Sequence, residues 1–176
     1  SSILVTSSVL LNVQKANAND AYFYSKSAYK KFDNNDLNGA ISDLTKLIEI
    51  DPNYHSGYSR RGYAKMILLQ YEDAINDFSK AIEVKPDDIL AYMNRGLSKQ
   101  RSGDFVNAII DFNKVVELDP LKFDTYTYRA DARSELKDYK NALIDYEKSI
   151  ELNPKYGVAY FNRGFVKSVQ MGLHKE

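Results

Sequence analysis

The sequence predicts an all-α protein built as a linear array of antiparallel helix pairs. Two kinds of observation carry that expectation. The first is spacing: Pro52, Pro86, Pro120 and Pro154 each follow the last by 34 residues. Other columns keep the same step, among them Tyr24, Tyr58, Tyr92, Tyr126 and Tyr160, the alanines 40, 74, 108 and 142, and the aspartates 43, 77, 111 and 145. The second is local periodicity. Apolar residues recur at the i, i+3, i+4, i+7 spacing of one buried helix stripe, and no stretch sustains the alternation of a strand. A fixed period of this length marks a repeat in which each unit buries its apolar face against the next.

The elements follow in order. Residues 1–20 form a leader, with an apolar stretch from Ile3 to Val13 and then Ala16-Asn17-Ala18. An apolar core followed by an A-x-A site is how a secretory signal ends, although no initiating Met or basic start precedes it here. Export is therefore expected, to a periplasmic, lumenal or extracellular location. A capping helix over the first repeat, in a cytoplasmic protein, is the alternative. The stretch is too short and too serine-rich for a full membrane span of about 20 residues.

Four units of 34 residues then run over 21–54, 55–88, 89–122 and 123–156, followed by a half unit over 157–176. Each unit opens with a helix carrying the tyrosine column and a small residue (Ala28, Gly62, Gly96, Ala130 or Gly164). A turn follows at Asn35-Asp36, Gly103-Asp104 or Lys137-Asp138, where the aspartate can accept from the first free N–H groups of the next helix. The second helix shows the stripe best, as Phe105, Ala108, Ile109, Phe112, Val115 and Val116. The proline stops it, because proline disfavours helix at the preceding residue and offers no N–H to the turn behind it. In the half unit, Val158, Phe161, Phe165 and Val169 are poor solvating residues for a terminal repeat, and predict that more repeats or another domain follow.

On these columns the chain resembles the tetratricopeptide repeat family over roughly residues 21–176. Tyrosine stands at the family's Trp position, the small column at its Gly, then Ala40 to Ala142, then Leu44, Phe78, Phe112 and Tyr146, then the prolines. Two columns depart. The family's Leu is Ser27, Arg61, Arg95, Arg129 and Arg163, and its second aromatic is Lys31, Lys65, Lys99, Arg133 and Lys167. These departures look like an Arg-Gly subtype. The resemblance implies a right-handed superhelical solenoid whose first helices line a concave groove. It also implies a non-catalytic scaffold that binds a protein or peptide there.

Chemistry elsewhere is sparse. The 176 residues hold no Cys, which excludes thiolate metal sites and thiol nucleophiles. His55 and His174 lie far apart, and no catalytic, phosphate-binding or calcium-loop spacing occurs. No enzyme activity, cofactor or metal is expected. Twenty-four basic residues balance 24 acidic ones, which argues against a nucleic-acid partner. A membrane partner is expected only through the leader.

A residue repeated in every unit serves the architecture, so recognition is sought where the units differ. Stepping along each first helix at groove spacing gives a face that in the fourth unit reads Asp124, Thr127, Tyr128 and Asp131. From these faces Lys26 and Tyr29, Arg60 and Tyr63, Met93, Asn94 and Leu97, and Tyr128 are taken as the peptide-binding groove. The groove begins basic and aromatic, becomes apolar and turns acidic. Core packing of several of these aromatics is the competing reading. The two-carboxylate clamp with which some family members hold chaperone C-terminal tails lacks its cations: Ser59 and Tyr63, then Asp124 and Tyr128, flank Asn94. Chaperone-tail binding is disfavoured. A recognition arm of a larger enzyme or membrane assembly, with its other domain beyond residue 176, is the alternative to a free scaffold.

Overall fold

The computed structural model describes the backbone of residues 2–172 and the side chains of residues 18–172. The described residues form nine α-helices and no strand. They are α1 (Ser2–Asp33), α2 (Leu37–Ile50), α3 (His55–Ile67), α4 (Tyr71–Val84), α5 (Ile89–Arg101), α6 (Phe105–Leu118), α7 (Phe123–Glu135), α8 (Tyr139–Leu152) and α9 (Gly157–Gln170). The chain divides into two compact units, Ser1–Pro86 with α1 to α4 and Asp87–Glu176 with α5 to α9.

Helix ends fall where the sequence places them, for identifiable reasons. Each intra-repeat turn carries a residue in the left-handed region: Asn35 (φ 58°), Leu69 (φ 61°), Gly103 (φ 88°) and Lys137 (φ 61°). Around it the Asp36, Gln70, Asp104 and Asp138 N–H groups donate at 2.8–2.9 Å to the carbonyls of Lys31, Lys65, Lys99 and Arg133. These are the six-to-one bonds that satisfy the last carbonyls of a helix. Asp36, Asp104 and Asp138 then accept from the N–H of Gly39, Asn107 and Asn141, capping α2, α6 and α8. Gln70, in the same column, makes no side-chain cap.

The expected border between leader and first repeat, at residue 20, is not a structural break: α1 runs straight through it. The side chains of residues 1–17 lie outside the described set, and with them the expected apolar run from Ile3 to Val13 and the first two residues of Ala16-Asn17-Ala18. No helix among the described residues is long and apolar enough to cross a membrane.

Packing within each pair explains the columns. Ala40, Ala74, Ala108 and Ala142 are fully buried, which lets paired helices approach closely. Leu44, Phe78, Phe112 and Tyr146 fill the space beside them. Burial of a side chain of this size contributes roughly 1.5–3 kcal/mol. The small column answers that ring: a Cβ on Gly96 would stand 2.7 Å from Phe112 Cε1, and one on Gly62 would stand 3.0 Å from Phe78 Cε1.

The two columns that depart from the family pattern pair with a third. Asp77 accepts from Arg61 Nε and Nη2 at 2.9 and 2.7 Å and from Lys65 at 2.8 Å. Asp111 does the same with Arg95 and Lys99, and Asp145 with Arg129 and Arg133. In the first repeat, where Ser27 replaces the arginine, Lys31 pairs with Asp43 at 2.7 Å and the Ser27 hydroxyl also bonds that carboxylate. Arg61 also donates to Thr45 of α2 at 3.0 Å, and Arg129 to Asn113 of α6 at 2.8 Å. Each of these two guanidiniums therefore ties its own helix pair to the preceding second helix. The tyrosine column lies under the arginines, with Arg95 and Arg129 each 5.4 Å from the ring centroids of Tyr92 and Tyr126.

Candidate functional site

In the first unit, α1 and α3 bring two of the expected groove residues into direct contact. The Arg60 guanidinium lies 3.9 Å from the ring centroid of Tyr29. Its Nε is buried and has no hydrogen-bond partner among the described residues. A cation held over an aromatic face is stabilised by about 0.5–2 kcal/mol. Tyr63 is 44% exposed with Phe32 6.5 Å away, and Lys26 stands exposed over Tyr22 at 6.0 Å. Both aromatics on this face thus touch their neighbours and still show an open side.

The second unit sorts its expected residues differently. Met93 is buried against Ala108, Phe112, Val115 and Ala132, so it belongs to the core and does not face a groove. Its helical position suits either role, and the bulk of Phe112 across the pair decides for the core. Asn94 is half-buried, and its carbonyl accepts from Ser98. Leu97 and Tyr128 do line an open cleft of about 590 Å³ among α5 to α9. Tyr128 stacks on Phe112 with centroids 6.1 Å apart, and burial followed by the nearby Asp124 pushes its hydroxyl above the usual tyrosine range.

The cleft also holds residues outside the chosen groove set, among them Asp131, which the groove spacing had placed on this face. Asp131 of α7 accepts from Tyr146 Oη at 2.6 Å and from Asn162 Nδ2 at 2.8 Å. Burial raises the Asp131 carboxyl above the ordinary carboxylate range, against the pull of those two donors. Glu135, one turn along α7, lines the same cleft, as do Arg101, Phe105 and Phe165. The signal for Asp131 was present in the sequence: its column reads Tyr29, Tyr63, Leu97, Asp131, Phe165. What the sequence did not show is that Tyr146, in a column of buried hydrophobes, turns its hydroxyl to it. No group of carboxylate and histidine side chains among the described residues is arranged to hold a metal ion.

Known proteins agree with this architecture. A TPR repeat profile matches residues 70–103, and a tetratricopeptide repeat profile matches residues 89–120 and 123–156. No curated protein matches the chain significantly. Among solved structures, a MamA protein is similar at 23% identity and TM-score 0.84, over 89% of this chain and 85% of that one. MamA from Desulfovibrio magneticus RS-1 is similar at 18% identity and TM-score 0.83, over 87% and 86%. The first TPR of Spaghetti (RPAP3), bound to the HSP90 peptide SRMEEVD, is similar at 24% identity and TM-score 0.65, over 66% and 93%. At these identities the likeness establishes the fold. With its period, its helix pairs and the two matching profiles, the chain belongs to the tetratricopeptide repeat family.

Proposed function

We propose that the protein is an interaction scaffold that holds an extended peptide or a partner helix on the faces of its first helices. The observation that carries this reading is the open cleft of about 590 Å³, walled by Leu97, Tyr128 and Phe165 with Asp131 and Glu135 among them. Polar groups such as Gln100, Asp131, Glu135 and Asn162 share the lining about equally with apolar surface, which suits a peptide side chain that has both an apolar stem and a polar head. The Tyr29–Arg60 stack offers a second contact point of the same kind in the first unit. A relative in this fold is bound to a peptide, which supports the reading by analogy. The chaperone-tail mode remains disfavoured, since Ser59, Tyr63, Asp124 and Tyr128 stand where the clamp needs cations and amides.

Affinity purification of the whole chain, followed by mass spectrometry, identifies the partner. A Tyr29→Ala, Tyr63→Ala double variant then loses that partner while keeping its helical circular dichroism. Equal capture by the double variant counts against the first-unit face.

A recognition arm of a larger assembly is the second reading. The exposed apolar side chains of α9, Val158, Phe161 and Phe165, favour it, because they suit contact with another folded element. Export, suggested by the apolar run and Ala16-Asn17-Ala18, is tested by N-terminal sequencing of the protein from its native source.

A further inference from the structure

The fourth repeat breaks the pattern of its neighbours at two positions that meet. Its groove column holds Asp131 where the other units hold Tyr29, Tyr63, Leu97 and Phe165. Its core column holds Tyr146 where the others hold Leu44, Phe78 and Phe112. Tyr146 is 1% exposed, yet its hydroxyl donates to Asp131 Oδ1 at 2.6 Å, and Asn162 donates to the same oxygen at 2.8 Å. Oδ1 is thus fixed from two helices, while Oδ2 has no hydrogen-bond partner among the described residues. The cleft's charged lining is Asp131, Glu135 and Arg101, two acids against one base. Tyr128 and Phe165 supply aromatic surface in the same walls.

Resting on the scaffold reading, we propose that this cleft takes a lysine or arginine side chain of the bound peptide. The cationic head meets Asp131 Oδ2 and Glu135, and the aliphatic stem lies along Tyr128 and Phe165. Long basic side chains bury their stems on apolar surface while their heads keep polar partners, and aromatic faces attract the cation. A carboxylate oriented beforehand by two donors loses little freedom on binding, which favours a charge-assisted bond. The polarity is opposite to that needed for an acidic tail such as SRMEEVD, the peptide on the RPAP3 relative.

The test selects a random twelve-residue peptide phage library on the whole chain, then titrates the best synthetic peptide calorimetrically. The expected result is a basic residue fixed at one position. Affinity then falls at least tenfold for Asp131→Asn and severalfold for Glu135→Gln. Replacing that basic residue by norleucine has a matching effect on the wild type and little on Asp131→Asn. Circular dichroism melts check both variants; Glu135 is exposed, so its substitution leaves folding intact. Selected peptides that are acidic or purely apolar, or that bind both variants as well as wild type, overturn the inference and leave the scaffold reading standing. A library that yields no binder overturns both.

Discussion

Arg95 and Asp111 form a two-bonded pair across α5 and α6, with Nε at 3.0 Å from one carboxylate oxygen and Nη2 at 2.7 Å from the other. The aspartate side chain is 1% exposed and the arginine 18%. Lys99 closes on Asp111 from the next turn at 2.8 Å. A buried carboxylate held by two cations is costly to break, because removing it leaves their charges facing a dry interior. Asp111→Ala is therefore expected to destabilise by about 2–4 kcal/mol in urea denaturation, below the upper range for such losses since both cations keep some solvent. Lys114→Ala, which removes an exposed pair with Glu117, leaves the midpoint unchanged. Equal effects would show the ladder to be ornamental.

The glycine column makes opposite predictions at two positions. Gly96→Ala drives a methyl into the Phe112 ring, and overpacking of this kind costs about 1–3 kcal/mol. Gly164→Ala in α9 meets nothing within 4 Å and gains helix propensity of up to about 1 kcal/mol. Thermal melts of the two variants should move in opposite directions.

The second repeat carries two local defects beside its turn. Gln70 sits in the column where Asp36, Asp104 and Asp138 cap the following helix, and makes no such bond. Gln70→Asp is expected to stabilise by about 0.5–1 kcal/mol. Leu69 holds φ 61° with a bulky side chain, a conformation that asparagine tolerates better. Leu69→Asn should add a smaller gain in the same denaturation assay.

Asp131 gives a pH signature. Burial, its largest influence, raises its carboxyl above the ordinary value, with Tyr146 and Asn162 opposing and Glu135 adding to the rise. A group whose pKa is raised on folding contributes stability that is complete below its unfolded value and lost as pH rises through its folded value. Asp131→Asn should accordingly melt higher than wild type at neutral pH, and the difference should vanish in acid. Peptide affinity runs the other way. If a cation binds there, it weakens as acid protonates Asp131, with Arg101, Tyr128, Glu135 and Tyr146 as the other titratable groups of the cleft. A variant less stable than wild type at neutral pH would show that the carboxylate serves the fold.

The sequence by itself determined the helix pairs, their period and their family. Those depend on local rules: prolines that stop helices, aspartates that cap them, and apolar residues at helical spacing. It also marked the faces on which Tyr29, Arg60, Tyr63, Leu97 and Tyr128 stand. Tertiary structure decided which side chains on those faces remain open, because helical spacing alone does not say how far a neighbour's bulk reaches. Met93 went to the core beneath Phe112, and Tyr29 came under the Arg60 guanidinium. The arginine and lysine columns, which in sequence look like departures from the family, converge on buried aspartates only once the paired helices lie side by side. Asp131 shows the same limit. Its column position was legible, but the hydroxyl that orients it comes from α8 and the amide from α9, 15 and 31 residues away. Only packing brings those three groups to one oxygen.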